Sequence, residues 1–430
     1  MNFFNSRFIQ TKIIRPLAWK AMRLLPNKIR NYLIRSFFSL SPKIPQELKF
    51  KLAETKEELE AAFALLHEQF VASQYMDKNS SGLRITKHHA LPGTAVVIGT
   101  WKGEVICTMS IIHDGPLGLP IESTWNIDQQ RKNAASIAEI SALAISRKAQ
   151  GRRGQILLPL CKFTYEYCMK YADVDILVIS TLESVKDFYG AILLFGPLGD
   201  GRPRRYEFVK NVVAYAQFQD LRTAVDHYKN VYGNNAVEKN LHQFFFENDT
   251  NQFHFPKRLP GQCAYPVMTP ELMDYFFNQK LSVFSLLSTE EKISLKNIYF
   301  DNSFGDVIQP QLSGVHARQE QRFAANLKGT LADIAKGRIQ SITLTDISLM
   351  GFAAKLNERI ELGATVVINI KTNESVLRID AIVTWADPNL LRYGFQIARV
   401  SSSQWTNLIE NIAQTYRSSE TRILKKAKNN

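Results

Sequence analysis

The run Ala138-Glu139-Ile140-Ser141-Ala142-Leu143-Ala144-Ile145-Ser146 decides how the first half of the chain is read. It reads as a buried strand with one carboxylate, Glu139, near its start. Upstream, Thr55 and Glu58 form a capping box, and Leu59, Phe63, Leu66 and Phe70 recur at helical spacing, which predicts an amphipathic helix. Strands are predicted over 94–100 and 105–113, joined by the turn Trp101-Lys102-Gly103-Glu104. Downstream, the turn Gly151-Arg152-Arg153-Gly154 leads into a helix ending near Tyr171, then a strand over 175–181 and a short helix over 185–194. This succession predicts one α/β domain spanning 48–221.

Four segments carry a family resemblance: Asp114…Gly118-Leu119-Pro120, Glu139 to Ile145, the Gly151–Gly154 turn, and Phe188-Tyr189-Gly190…Leu194-Phe195-Gly196-Pro197-Leu198-Gly199. The stretch resembles the GNAT superfamily and, within it, the FeeM-type N-acyl amino acid synthases, which are related to acyl-homoserine-lactone synthases. The resemblance implies transfer of an acyl group from a thioester to an amine. Glu139 would take the amine proton, directly or through water. Backbone N–H groups would meet the oxyanion where the central strand splays from its neighbour. Amides of Gly151, Arg152, Arg153 and Gly154 at a helix N-terminus would cradle the phosphopantetheine phosphate, the two arginines adding charge for it or for an acidic carrier. Tyr189 would protonate the leaving thiolate, and Ser141 shares the Glu139 face. The superfamily turn is present only as Gln150-Gly151-Arg152-Arg153-Gly154-Gln155, with a bulky helix after it, which favours an acyl carrier protein over acetyl-CoA as donor. Each residue also has a plainer reading. Glu139 can cap a neighbouring amide, the arginines can be a solvated turn, and Tyr189 can pack its ring in the core.

Composition bounds the rest. With 430 residues, 45% hydrophobic and 22% charged, the chain has material for two or three globular domains. Its four cysteines and eight histidines lack metal-type spacing, so no metal is expected, and a reducing compartment is the simplest. No charge-free apolar run approaches the roughly 18 residues of a membrane span. Of the net charge of +13, nine Lys/Arg and no Asp/Glu fall in residues 1–46, interleaved with Phe3, Phe4, Phe8, Trp19, Tyr32, Phe37 and Phe38. This pattern predicts an amphipathic segment lying on an anionic membrane surface, or a basic arm packed on the protein itself or on an acidic partner. The expected location is the bacterial cytoplasm, peripheral on the inner face of the cytoplasmic membrane. Residues 417–430 form a basic tail.

Residues 222–314 read as a helical connector, with helix starts at Thr269-Pro270-Glu271 and Ser288-Thr289-Glu290-Glu291. Residues 315–416 read as a small antiparallel β-barrel, from alternating runs over 338–346, 352–356, 365–371, 376–385 and 392–397, closed by a helix over 404–416. Arg318 and Arg322 precede the first run, and Asp346-Ile347-Ser348-Leu349-Met350-Gly351 follows it. This segment resembles a PilZ domain, with its Arg-x-x-x-Arg and Asp/Asn-x-Ser-x-x-Gly motifs, and the resemblance implies cyclic di-GMP as ligand. Arg forks suit phosphate and the O6/N7 edge of guanine. Asp346 would accept from guanine N–H groups, Ser348 would bond beside it, and Gly351 would let the backbone turn closely past the base. Two Arg four apart can equally be a solvated pair, and Asp-x-Ser a plain turn.

The fold expected is thus α+β and multidomain. The function expected is a cyclic di-GMP-regulated N-acyltransferase with an acyl carrier protein as donor and an amino acid or related small amine as acceptor, and no DNA or RNA partner. Alternatives are a non-catalytic, cyclic di-GMP-responsive membrane adaptor and a lactone-type signal synthase.

Overall fold

A computed structural model describes residues 25–41, 43–115, 117–134, 136–256, 268–298, 304, 307–308, 323–348, 350–372, 376–387, 391–401 and 404–412, with backbone alone at 150–153, 293 and 296–298. A nine-stranded sheet organises the first half. Its strands are β1 (Leu48–Leu52), β2 (Thr94–Trp101), β3 (Glu104–His113), β4 (Ile137–Ile145), β5 (Ile176–Leu182), β6 (Gly196–Pro197), β7 (Arg204–Tyr206), β8 (Val212–Asp220) and β9 (Phe253–His254). They run in the order β6-β8-β5-β4-β3-β2-β1-β9, with β7 paired to β8. The helices are α1 (Asn27–Phe37), α2 (Lys56–Ala72), α3 (Asp128–Asn133), α4 (Arg153–Lys170), α5 (Glu183–Ala191) and α6 (Leu221–Tyr232).

Local chemistry sets several of these elements. The Thr55 hydroxyl accepts the Glu58 amide and Glu58 returns a bond to Thr55, so the predicted cap starts α2. Lys102 and Gly103 have φ of 50° and 85°, the two left-handed residues of a type I′ turn, which matches the twist of β2 and β3. One sheet face buries Ile111, Ala138, Leu177 and Ile179 with Leu160 and Phe163 of α4. The other buries Ile112, Ile137, Ile176 and Val178 with Leu119, Ile121, Trp125 and Tyr206. Because β9 lies at 253–254 and Phe244 and Phe245 join the first core, the sheet domain extends beyond the expected boundary at 221.

Helix α1 shows where part of the basic arm goes. Arg35 Nε donates to the Ala191 carbonyl at 2.8 Å, Arg30 approaches Asp187 at 3.5 Å, and Ile34 and Phe38 pack on the core. Ile29, Tyr32 and Phe37 stay exposed. Residues 27–38 therefore dock on the protein and keep an apolar face in solvent. Residues 1–24 lie outside the described set.

The second half is a closed barrel with strand order β10-β11-β12-β15-β14-β13. Its strands are β10 (Phe323–Asp333), β11 (Arg338–Ile347), β12 (Gly351–Leu356), β13 (Thr365–Lys371), β14 (Val376–Asp387) and β15 (Arg392–Val400). The strand β10 was not expected. Its small residues and half-exposed alternation weaken the signal, and at Gly329 a Cβ would stand 2.6 Å from the Asn369 carbonyl oxygen, so the barrel closes over a missing side chain. Helical residues 404–412 cover the barrel, with Trp405 buried against Phe352. Among the described residues no helix is long and apolar enough to cross a membrane.

Candidate functional site

Strand β4 pairs in parallel with β5 only from Ile137↔Ile176 to Ile140↔Ile179, although both strands continue. On the other side a bulge sets Ala142 and Leu143 against Met109 alone, and Ala142 adopts φ 55°. The central strand therefore parts from β5 after Ile140. Residues 140–143 are half-exposed while both ends of β4 are buried, and backbone groups of 141–143 have no partner on β5. The central strand is thus splayed from its neighbour, as the resemblance implied.

Glu139 lies one residue before the parting and is 0% exposed. The Ile121 N–H donates to Oε2 at 2.7 Å, and the Tyr206 hydroxyl donates to Oε1 at 3.4 Å. The predicted capping of an amide is thus present, in a setting that also changes the acidity. Burial pushes the Glu139 carboxyl up to about 8, more than the two hydrogen bonds pull it down. A carboxylate with that pKa is matched to an amine proton.

The amide that reaches Glu139 is held by a charged clamp. Arg131 of α3 donates to Asp114 Oδ2 through Nε and to Oδ1 through Nη2, both at 2.7 Å, and its two Nη groups also bond Glu122. Glu122 Oε2 accepts the Leu119 N–H at 2.7 Å, which closes the turn Gly118-Leu119-Pro120-Ile121-Glu122. Gly118 has φ 65°, and a Cβ there would stand 2.8 Å from Glu122 Oε2, so glycine is needed twice over. Tyr206 and Arg131 had no sequence signal. They lie 67 residues after and 8 residues before Glu139, in polar stretches that read as surface.

The other expected residues fall as follows. Ser141 stands opposite Ser110, as Glu139 stands opposite Ile112, so the two share a face. Tyr189 packs edge-on to Phe188 and Phe195, at 5.7 Å and 6.0 Å between ring centres. Burial pushes its phenol above the ordinary value, which makes it a hydrogen-bond donor and a poor proton source for a thiolate. The Gly151–Gly154 segment is not a turn. A 3₁₀ segment, Arg147–Arg152, runs directly into α4 at Arg153, so its amides sit at the start of a long helix. The side chains of Arg152 and Arg153 lie outside the described residues.

In the barrel, Arg318 and Arg322 also lie outside the described residues. Asp346 is half-buried and accepts from Arg392 Nη2 at 3.1 Å. The Arg392 guanidinium sits 5.8 Å from the Trp385 ring centre, and Trp385 is 38% exposed. This indole covers Gly394, where a Cβ would stand 1.9 Å from Nε1. A flat apolar surface, a cation and a carboxylate thus meet at one edge, which fits a purine nucleotide. Trp385 and Arg392 come from strands distant in sequence and were not singled out there. Ser348 is buried, and its hydroxyl donates to the Gly351 carbonyl at 3.1 Å, closing its own turn instead of presenting a free group. Gly351 is required by the Phe395 carbonyl oxygen, 2.6 Å from where a Cβ would be, and this intramolecular approach accounts for the glycine.

The barrel rests on the sheet domain next to the clamp. Arg399 Nη1 donates to the Ala172 carbonyl at 2.6 Å and lies 3.4 Å from His113 Nδ1, while Arg399 also pairs with the buried Asp380. Gln404 Nε2 donates to the Arg131 carbonyl at 2.7 Å, and Trp405 Nε1 donates to the Ser348 carbonyl at 3.1 Å. Met350, in the same turn as Ser348, packs in a core with Leu295 of the connector and Phe63 of α2. The barrel motif and the Glu139 clamp are therefore joined through adjacent residues 404 and 405.

Residues 61–217 match the family model for N-acyl amino acid synthase FeeM. Among solved structures, the chain is similar to FeeM, an N-acyl amino acid synthase from uncultured soil microbes, at 20% identity over 42% of this chain and 93% of that one, with a TM-score of 0.36. It is similar to BjaI, a CoA-dependent acyl-homoserine lactone synthase, at 15% identity over 51% and 97%, with a TM-score of 0.35. It is similar to the PilZ domain of YcgR from Escherichia coli, solved with c-di-GMP, at 18% identity over 25% of this chain and 98% of that one, with a TM-score of 0.21. No curated protein matches the chain. The chain thus joins a domain that matches the FeeM N-acyl amino acid synthase family model, residues 61–217, to a closed six-stranded antiparallel barrel.

Proposed function

We propose that this protein transfers a fatty acyl group from the thioester of an acyl carrier protein to the amine of an amino acid, under the control of cyclic di-GMP bound at the barrel. The observation that carries the reading is Glu139, buried, raised to about 8, and placed where β4 parts from β5. The amine nitrogen attacks the thioester carbon, a C–N bond forms, and Glu139 receives the amine proton. The oxyanion meets backbone N–H groups of the open segment 141–143. As the C–S bond breaks, Tyr189 hydrogen-bonds the departing sulfur, and the proton held by Glu139 returns to the thiolate through water. Helix α4 presents its N-terminal amides to the phosphopantetheine phosphate.

Regulation is supported by the contacts at 404 and 405. A ligand that moved Asp346 or the Ser348–Gly351 turn would act on Trp405, and through Gln404 on Arg131, which holds the amide bonded to Glu139. Arg318, Arg322, Asp346, Trp385 and Arg392 are proposed as the ligand contacts. Calorimetry with cyclic di-GMP tests this part. The wild type should release binding heat that Arg322→Ala abolishes, and an absence of heat with the wild type would remove the ligand from the account.

The exposed Ile29, Tyr32 and Phe37, with the cations of residues 1–46, support a membrane-surface role. Co-sedimentation should show full-length protein on anionic vesicles and a form starting at Pro45 largely in solution. Equal partitioning would leave α1 a purely structural helix.

A further inference from the structure

Arg84 is a half-buried guanidinium that meets no carboxylate among the described residues. Its group lies over Phe70 at 4.4 Å and near Phe208 at 5.5 Å from the ring centres. Its hydrogen bonds are long, 3.4 Å to the Phe208 carbonyl and 3.9 Å to the Met76 sulfur. Other arginines withdrawn from solvent are paired: Arg131 with Asp114 and Glu122, Arg378 with Asp173 and Asp380, Arg399 with Asp380. Taking a cation out of water without an acid is costly, and such a site gains most from an anion supplied from outside.

The position of Arg84 says which anion. Its charge acts on Tyr206, whose hydroxyl donates to Glu139, and on His89, whose Nε2 lies 3.1 Å from the Ser110 hydroxyl on the Glu139 face. Trp125 packs on the Tyr206 ring at 5.3 Å and has a buried Nε1–H that meets no partner among the described residues. Phe208 lies against the same tyrosine at 5.8 Å. One aromatic cluster therefore separates a carboxylate suited to an amine from a guanidinium without an acid. An α-amino acid carries an amine and a carboxylate on one carbon.

Resting on the acyl-transfer reading, the geometry points to Arg84 as the group that binds the acceptor's carboxylate, while Glu139 receives its amine. The acceptor is then a free α-amino acid, and simple amines are excluded by the unpaired guanidinium they would leave behind. Phe70 and Phe208 hold the guanidinium plane in place by cation–π contact.

Calorimetry on the full chain tests the assignment, using N-dodecanoyl-leucine and N-dodecanoyl-isoamylamine, which differ only by the carboxylate. The wild type should bind the acid about 10- to 150-fold more tightly, the range a charge-assisted pair supplies. Arg84→Gln should erase that difference without weakening the amide that lacks the carboxylate, and Arg84→Lys should keep part of it. Equal binding of the two compounds by wild type would overturn the proposal without any variant, as would an Arg84→Gln protein that still discriminates. If the wild type makes no N-acyl-leucine from an acyl carrier protein loaded with a fatty acid, yet discriminates between the two compounds through Arg84, the acyl-transfer reading falls while the Arg84 assignment stands.

Discussion

Replacing Glu139 by Gln should lower the rate of N-acyl transfer by about 10²- to 10⁴-fold, the range of a positioned general base. Gln keeps the shape and can still accept the Ile121 N–H, so the loss isolates the proton-accepting role. The pH profile gives the sign. Burial raises the carboxyl to about 8, so below that pH the group holds its proton and cannot take another. With saturating amine, the wild-type rate should therefore rise about tenfold per pH unit and level off above about 8, and the variant should lack this limb. Stability should move the opposite way. A folded-state pKa above the unfolded value means stability that is present at low pH and lost as pH rises through about 8. Glu139→Gln should therefore melt higher than wild type at alkaline pH and like it near pH 5. A variant that remains fully active would leave Glu139 as a structural cap.

Arg131→Met should cost about 3–5 kcal/mol of stability, because it leaves the buried Asp114 without its bidentate partner. Without Arg131, burial raises the Asp114 carboxyl, so the deficit should be largest near neutral pH and shrink as the pH falls and Asp114 takes a proton. Adding Asp114→Asn should recover part of the loss. Thermal unfolding at pH 4 and pH 7 checks both statements. A small, pH-independent deficit would mean that the clamp contributes only packing. Activity should fall with either variant, since the clamp holds the turn whose Ile121 amide reaches Glu139.

Elements written in short-range chemistry were legible in the sequence. The Thr55–Glu58 cap, the Lys102-Gly103 turn and the strand around Glu139 stand where propensity and pattern put them, because each is decided by residues a few positions apart. The barrel runs from 338 onward were legible for the same reason. Strand β10 was not, since its place depends on Gly329 meeting Asn369 of the neighbouring strand β13, some forty residues on in the chain. The site divides in the same way. Glu139 could be found as a carboxylate in an apolar run, whereas Tyr206, Arg131 and Arg84 become functional candidates only once folding brings distant loops to one sheet face. The reversal of Ser348 and Gly351, from expected ligand groups to members of a self-closed turn, has that origin too: the partner of Gly351 is Phe395, a strand away.

The central claim is most directly tested by supplying the purified full-length chain with an acyl carrier protein loaded with a fatty acid, a mixture of the amino acids, and cyclic di-GMP over a range from none to saturation, and following products by mass spectrometry. The account predicts an N-acyl amino acid whose yield depends on cyclic di-GMP and which Glu139→Gln fails to make. No N-acyl product at any cyclic di-GMP concentration, or equal product from Glu139→Gln, would contradict it.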